Sequence, residues 1–104
     1  MKGARLITAG PGWLRVEGVL DFNSVNALAT EAEALFPPSG RLRIDLSGVE
    51  SANSAGLALL LEWLALARSR RLDLEYLNLP ESLERIAAFS NLGSLLPVAR
   101  PSAA

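Results

Sequence analysis

Cysteine and histidine are both absent from the 104 residues. Without cysteine the chain has no disulfide and no thiolate metal site. Without histidine it lacks the commonest general base, the commonest metal ligand and the usual pH switch. Neither sign of charge is in excess: 10 basic and 11 acidic residues leave a net charge of −1. No electrostatic footprint for nucleic acid or an anionic membrane follows from that balance. Long apolar runs are missing too. The longest, around Leu57 to Ala67, is interrupted by Glu62 and is too short to span a bilayer. The opening "MKGARLITAGPG" lacks the apolar stretch of a signal peptide. These absences lead us to expect a soluble, cytoplasmic protein with no direct membrane insertion.

What is present describes a globular chain. Half the residues are hydrophobic (50%) and a fifth are charged (20%), and the length suits one core. We expect a single domain over 1–104, with 99–104 a frayed tail. "ARLITA" (4–9) and "WLRVEGVL" (13–20) read as strands; in the second, Trp13, Arg15 and Glu17 alternate with Leu14 and Val16. "PG" between them marks a hairpin turn. Val25, Leu28, Ala29, Ala32, Leu35 and Phe36 have helical spacing, with Asn23 or Ser24 as N-cap and Pro37 closing the helix. "RLRIDLSGV" (41–49) alternates through Leu42, Ile44 and Leu46 as a strand, and a turn is expected at 50–53. "SAGLALLLEWLALARSRR" (54–71) is rich in good helix formers and carries its basic residues last, where the helix dipole favours them. "LDLEYLNL" (72–79) is another strand and "ESLERIAAF" (81–89) a helix entered through Pro80. Asn91 suits a left-handed C-cap. The order β-β-α-β-α-β-α implies an α/β fold. Its four-stranded sheet is mixed and mostly parallel, with right-handed crossovers and an antiparallel edge strand.

Residues 45–61, "DLSGVESANSAGLALLL", resemble the signature of STAS domains, the fold of anti-sigma-factor antagonists. In that family a strand ending Asp-Leu-Ser-x-Val leads through a loop to Asp-Ser/Thr-x-Gly-Leu at a helix start. Asp45, Leu46, Ser47, Val49, Ser54, Gly56 and Leu57 match as they stand. "VEGVLDFNSV" (16–25) is similar to the family's Gly-x-Leu-Asp segment, and 81–98 resemble its last helix and tail. Two positions depart from the antagonists. Asn53 replaces the Asp that usually precedes the phosphorylated serine, and Ala55 replaces a second Ser or Thr. With those departures the segment looks most like the MlaB-like STAS subunits of bacterial phospholipid ABC transporters. That resemblance implies a cytoplasmic subunit bound to the transporter's ATPase and held at the inner membrane through it. The alternative it implies is an antagonist whose partners are an anti-sigma factor and a serine kinase that phosphorylates Ser54.

Read physically, "SANSAG" lies beyond the carboxyl ends of parallel strands, where ligands and partners meet such sheets. It lacks the glycine spacing and Gly-Lys-Ser/Thr ending of a nucleotide loop. Ser54 has no histidine to activate it. Asp21 and Asp45, near the same edge, are better read as loop acids or cap partners than as a metal pair. No catalytic residue, cofactor or metal is therefore expected. Ser54 is placed at or near the N-cap, and Gly56 is read as leaving room for another protein's backbone. At ~100° per residue, Leu57, Leu60, Leu61, Leu64 and Arg68 share the face turned to the sheet. Leu59, Glu62, Trp63, Leu66 and Arg70 then point outward, covered either by another element of the chain or by a partner. Trp and Arg often anchor interfaces. The expected partner-binding set is therefore Asn53, Ser54, Ala55, Gly56, Leu59, Trp63 and Leu66.

Overall fold

Alternation decides which side of each strand meets the core. Leu6, Leu14, Val16, Leu42, Ile44, Leu46, Leu72, Leu74 and Tyr76 are all buried, while their neighbours in sequence are wholly or partly exposed. The computed structural model describes residues 3–99. It contains β1 (Ala4–Gly10), β2 (Trp13–Leu20), α1 (Val25–Leu35), β3 (Gly40–Ala52), α2 (Ser54–Ser69), β4 (Leu72–Leu77) and α3 (Glu81–Phe89), then a single 3-10 turn (Gly93–Leu95). The sheet order is β1-β2-β3-β4. β1 runs antiparallel to β2, and the other two pairings are parallel. This is the expected four-stranded mixed sheet with an antiparallel edge, in the expected element order.

The hairpin turn does more than reverse the chain. Gly12 adopts φ 71°, and a side chain there would meet the Arg41 carbonyl oxygen at 2.8 Å. Its own carbonyl accepts a 2.8 Å hydrogen bond from the Arg43 N–H. The turn is thereby fastened to the start of β3.

With strands following one another as β2-β3-β4, right-handed crossovers put both connecting helices on one face of the sheet. α2 packs between α1 and α3 above β3 and β4. The buried Tyr76 of β4 donates its hydroxyl to the Leu60 carbonyl of α2 at 2.6 Å, and burial raises the phenol well above its usual pKa. The opposite face carries charge. Arg5 pairs with Glu17, Arg15 with Glu17 and Asp45, Arg41 with Asp73, and Arg43 with Glu75, at 3.5–3.9 Å.

Three local expectations need correction. β3 does not turn at 50–53. It runs on to Ala52, and Asn53 alone links it to α2. Against β2 it carries two irregularities, one between the partners of Arg15 and Glu17 and one between those of Gly18 and Val19. Each puts an extra residue on β3, as a β-bulge does. The first shifts the inward phase from Leu46 to Val49, so a simple alternating pattern ends early. Second, Arg70 is not an outward anchor. Its guanidinium donates to the carbonyls of Phe36 at 2.9 Å and Glu33 at 2.8 Å, closing the end of α1, where carbonyls lack intrahelical partners. Third, Ala99 is not frayed: its N–H donates to the Tyr76 carbonyl at 2.8 Å, beside the Tyr76–Val98 bridge. The rest of the expected tail, 100–104, lies outside the described residues. Asn91 does take the left-handed conformation, with φ 56°. Its N–H bonds to Ala88 and that of Leu92 to Ala87, which is a Schellman closure of α3.

Candidate functional site

The junction of β3 and α2 is built around Asn53. Its N–H donates to the Leu20 carbonyl of β2 at 3.1 Å. Its side-chain oxygen accepts from the Ala55 N–H at 2.9 Å, and its carbonyl accepts from Gly56 at 2.9 Å. Asn53 is therefore the N-cap of α2, and Ser54 is the first helical residue rather than the cap. With the capping role filled, the Ser54 side chain is exposed and makes no hydrogen bond to any described residue.

Ala55 and Gly56 face inward instead. Ala55 is 4% exposed. A Cβ on Gly56 would lie 3.1 Å from Leu20 Cβ, 3.2 Å from Ala52 Cβ and 3.3 Å from Leu83 Cδ2. The glycine lets α2 approach β2, β3 and α3 of its own chain, and the space expected for a partner's backbone is already filled.

The helix face assigned to a partner is also turned inward. Trp63 is 1% exposed and Leu59 2%, while Leu66 is half-buried. The Trp63 ring meets Phe36, which follows α1, with centroids 5.9 Å apart. The cover at Trp63 is the end of α1, an element of the same chain. Leu61 and Leu64, expected against the sheet, are only half-buried, while Arg68, at the end of that face, reaches solvent. What reaches solvent is a narrow stripe, Ser54, Ala58, Glu62, Ala65 and Ser69, with Arg68 beside its end. These are the small and polar positions at steps of three and four, and that spacing is the signal in the sequence that marks the outer face.

Both loop acids serve their own chain. Asp21 Oδ1 accepts from the N–H groups of Asn23 and Ser24 at 2.9 and 3.1 Å. Ser24 in turn accepts from the Asp21 N–H at 3.1 Å and donates to the Val19 carbonyl at 2.7 Å. Asp45 Oδ1 accepts from the Ser47 N–H and the Asn78 side chain, each at 2.9 Å. Burial pushes the Asp45 carboxyl up, but the hydrogen bonds from Asn78 and Ser47, with Arg15 nearby, outweigh it and hold the group below its ordinary pKa of 3.8. No group of three or more potential metal ligands gathers among the described residues. No described helix is long and apolar enough to cross a membrane.

The Asp21–Ser24 turn holds one residue outward that sequence reasoning did not select. Phe22 is 71% exposed. It edges a groove of about 130 Å³ that runs between the starts of α1 and α2, floored by Val25, Ala55 and Leu59 and rimmed by Ala58 and Glu62.

A family model described as "Mlab, STAS domain" matches residues 7–97. The chain belongs to the STAS domain family. Among solved structures, this STAS domain is similar to the anti-sigma factor antagonist SpoIIAA in its unphosphorylated form. That match has a TM-score of 0.68 and 17% identity over 93% of this chain and 88% of the other. It is also similar to an anti-sigma factor antagonist from Mycobacterium paratuberculosis, with a TM-score of 0.69 and 22% identity over 95% and 87% of the two chains. These likenesses establish a shared fold. No curated protein matches the chain.

Proposed function

We propose that this STAS domain is a non-enzymatic subunit that binds and supports the ATPase subunit of an ABC transporter for phospholipid trafficking and outer-membrane lipid asymmetry. The observation that carries the reading is the family model, whose "Mlab" description spans residues 7–97. The geometry at the start of α2 supports a docking role. Asn53 caps the helix, so Ser54 stands exposed, without a side-chain hydrogen bond among the described residues, at the carboxyl edge of the sheet, where partners of parallel sheets meet them. Docking there would hold the protein at the inner membrane through its partner. Of the residues expected to bind, Asn53 and Ser54 stay in the proposal as the exposed pair. Ala55, Gly56, Leu59 and Trp63 are buried and Leu66 is half-buried; these support the site from beneath.

A second reading, an anti-sigma-factor antagonist switched by phosphorylation of Ser54, draws on the two similar structures, both of anti-sigma factor antagonists. A phosphate at the first residue of a helix is favoured by the dipole and the free N–H groups.

Mixing the purified protein with the ABC ATPase subunit and, separately, with the anti-sigma kinase from the same genome distinguishes the two. A stable complex with the ATPase on gel filtration, weakened by Ser54→Arg, is the expected result. Formation of a complex only with the kinase, together with ATP-dependent phosphorylation of Ser54, would replace the first reading by the second.

A further inference from the structure

We infer that the groove between the starts of α1 and α2 receives an amphipathic, cationic segment of a protein partner: one apolar side chain enters beside Phe22, and a Lys or Arg lies over Glu62. The inference rests on reading the chain as a binding module and names the chemistry of what it binds.

Three observations converge. Phe22 is 71% exposed and is presented by a turn whose geometry is fixed. Asp21 and Ser24 exchange side-chain and backbone hydrogen bonds on either side of it, and Ser24 is tied to Val19 of β2. The fixed turn leaves little backbone entropy to lose when the aromatic binds. Beside it, the groove has an apolar floor of Val25, Ala55 and Leu59, and its volume is about 130 Å³. At roughly 30 Å³ per water, that is room for one side chain and not for a metabolite. Ala58 on the rim is small enough for a partner backbone to come close.

The charge of the rim then selects the partner. Glu62 is exposed, lines the groove and forms no ion pair with a described residue, and no lining residue is basic. The helix N-termini of α1 and α2 bring opposing positive character, but that effect fades within the first turn, and Glu62 lies two turns beyond Ser54. An anionic surface such as a lipid headgroup or a nucleic acid backbone is therefore disfavoured at the groove, and a cation beside an apolar side chain is favoured. The face is continuous with Ser54, which begins the same solvent stripe as Ala58 and Glu62.

The test is a titration of the isotopically labelled full chain with a short helical peptide of leucine and lysine, and with its counterpart carrying glutamate in place of lysine. Chemical-shift changes are expected at Phe22, Asn26, Ala58 and Glu62 with the lysine peptide alone. Phe22→Ser and Glu62→Lys should each weaken binding ~10-fold, about 1.4 kcal/mol, with unchanged circular dichroism because both side chains are at the surface. Equal binding of the glutamate peptide, shifts centred on the exposed Phe89 and Leu95, or undiminished affinity in both variants would overturn the inference. The same variants against the ABC ATPase subunit separate it from the proposed function. If the ATPase ignores the wild-type chain while the lysine peptide still maps to the groove, the transporter reading falls and the groove stands. If the ATPase binds the wild type and both variants alike, the groove falls and the transporter reading stands.

Discussion

The rings of Trp63 and Phe36 meet at 5.9 Å with their planes tilted by 60°, joining α2 to the end of α1. An edge-tilted aromatic pair of this kind adds ~0.5–1.5 kcal/mol beyond area burial. Trp63→Ala should therefore cost ~3–5 kcal/mol of folding stability in a denaturant melt, and a double-mutant cycle with Phe36→Ala should show positive coupling. Trp63→Phe should be milder, because the buried indole N–H has no hydrogen-bond partner among the described residues and its loss removes an unsatisfied donor. A Trp63→Ala melt indistinguishable from wild type would refute the burial.

Adjacent residues at the start of α2 should behave differently. Asn53→Ala removes the side chain that accepts from Ala55 and should cost ~0.5–2 kcal/mol, as N-cap losses do. Ser54→Ala removes a hydroxyl with no partner among the described residues and should leave the melting curve unchanged within error. The reverse ranking would mean that the serine caps the helix after all.

Gly56 tests how tightly α2 is seated. Alanine is the better helix former by ~1 kcal/mol, which alone would stabilise. Here its methyl would press on two Cβ atoms, of Leu20 and Ala52, at 3.1 and 3.2 Å, and Cβ atoms move only with their backbone. Overpacking of ~1–3 kcal/mol should win, so Gly56→Ala should lower stability and Gly56→Val lower it further. A rise in melting temperature for Gly56→Ala would show that the three neighbours can part.

Asp45 has its folded-state pKa depressed below 3.8. A depressed carboxyl contributes stability that is present above the unfolded pKa and lost as pH falls through the folded one. Asp45→Asn should thus destabilise at neutral pH, and its melting curve should converge on wild type as pH drops below 3.8. Carbon-detected titration of the Asp45 carboxyl reads the same quantity; a midpoint at or above the ordinary value would contradict the hydrogen-bond account.

Arg70 offers its two terminal nitrogens to two carbonyls at the end of α1. Lysine presents a single point charge and cannot span both. Arg70→Lys should therefore lose part, and Arg70→Ala most, of a capping contribution of about 1–2 kcal/mol. Faster amide exchange should be confined to the last turn of α1. Uniformly faster exchange would indicate a global effect instead.

The alternation of Leu14 and Val16, and of Leu42, Ile44 and Leu46, placed two strands and their inward faces, and Asn91 marked the end of α3 correctly. Those signals are local, and local patterning is what a sequence displays. The orientation of α2 was not legible in the same way. A helix flanked by α1, α3 and the sheet buries most of its circumference, so Leu59 and Trp63 carry no mark that separates a partner's cover from the chain's own. Ser54, Ala58 and Glu62, read as a stripe of what is not large and apolar, would have given the correct rotation. The length of β3 was hidden for another reason. Its bulges shift the period between Leu46 and Val49, and an interrupted period looks like a turn. Arg70's role depends on a contact across 34 residues, which no periodicity reveals.

The charged face of the sheet has a consequence for how the molecule meets others. Four arginines (5, 15, 41 and 43) and four carboxylates (17, 45, 73 and 75) there neutralise one another within the chain. Each such pair adds little to folding, ~0–1 kcal/mol. A second molecule laid on this face would have to strip water from all eight groups and could offer none of them a better counter-ion. The paired charges of the sheet therefore discourage stacking, and association is directed to the helical side and the carboxyl edge. Two copies brought together at high concentration should not pair through this face, and moderate salt should not change that, because the charges it would screen are already balanced at close range.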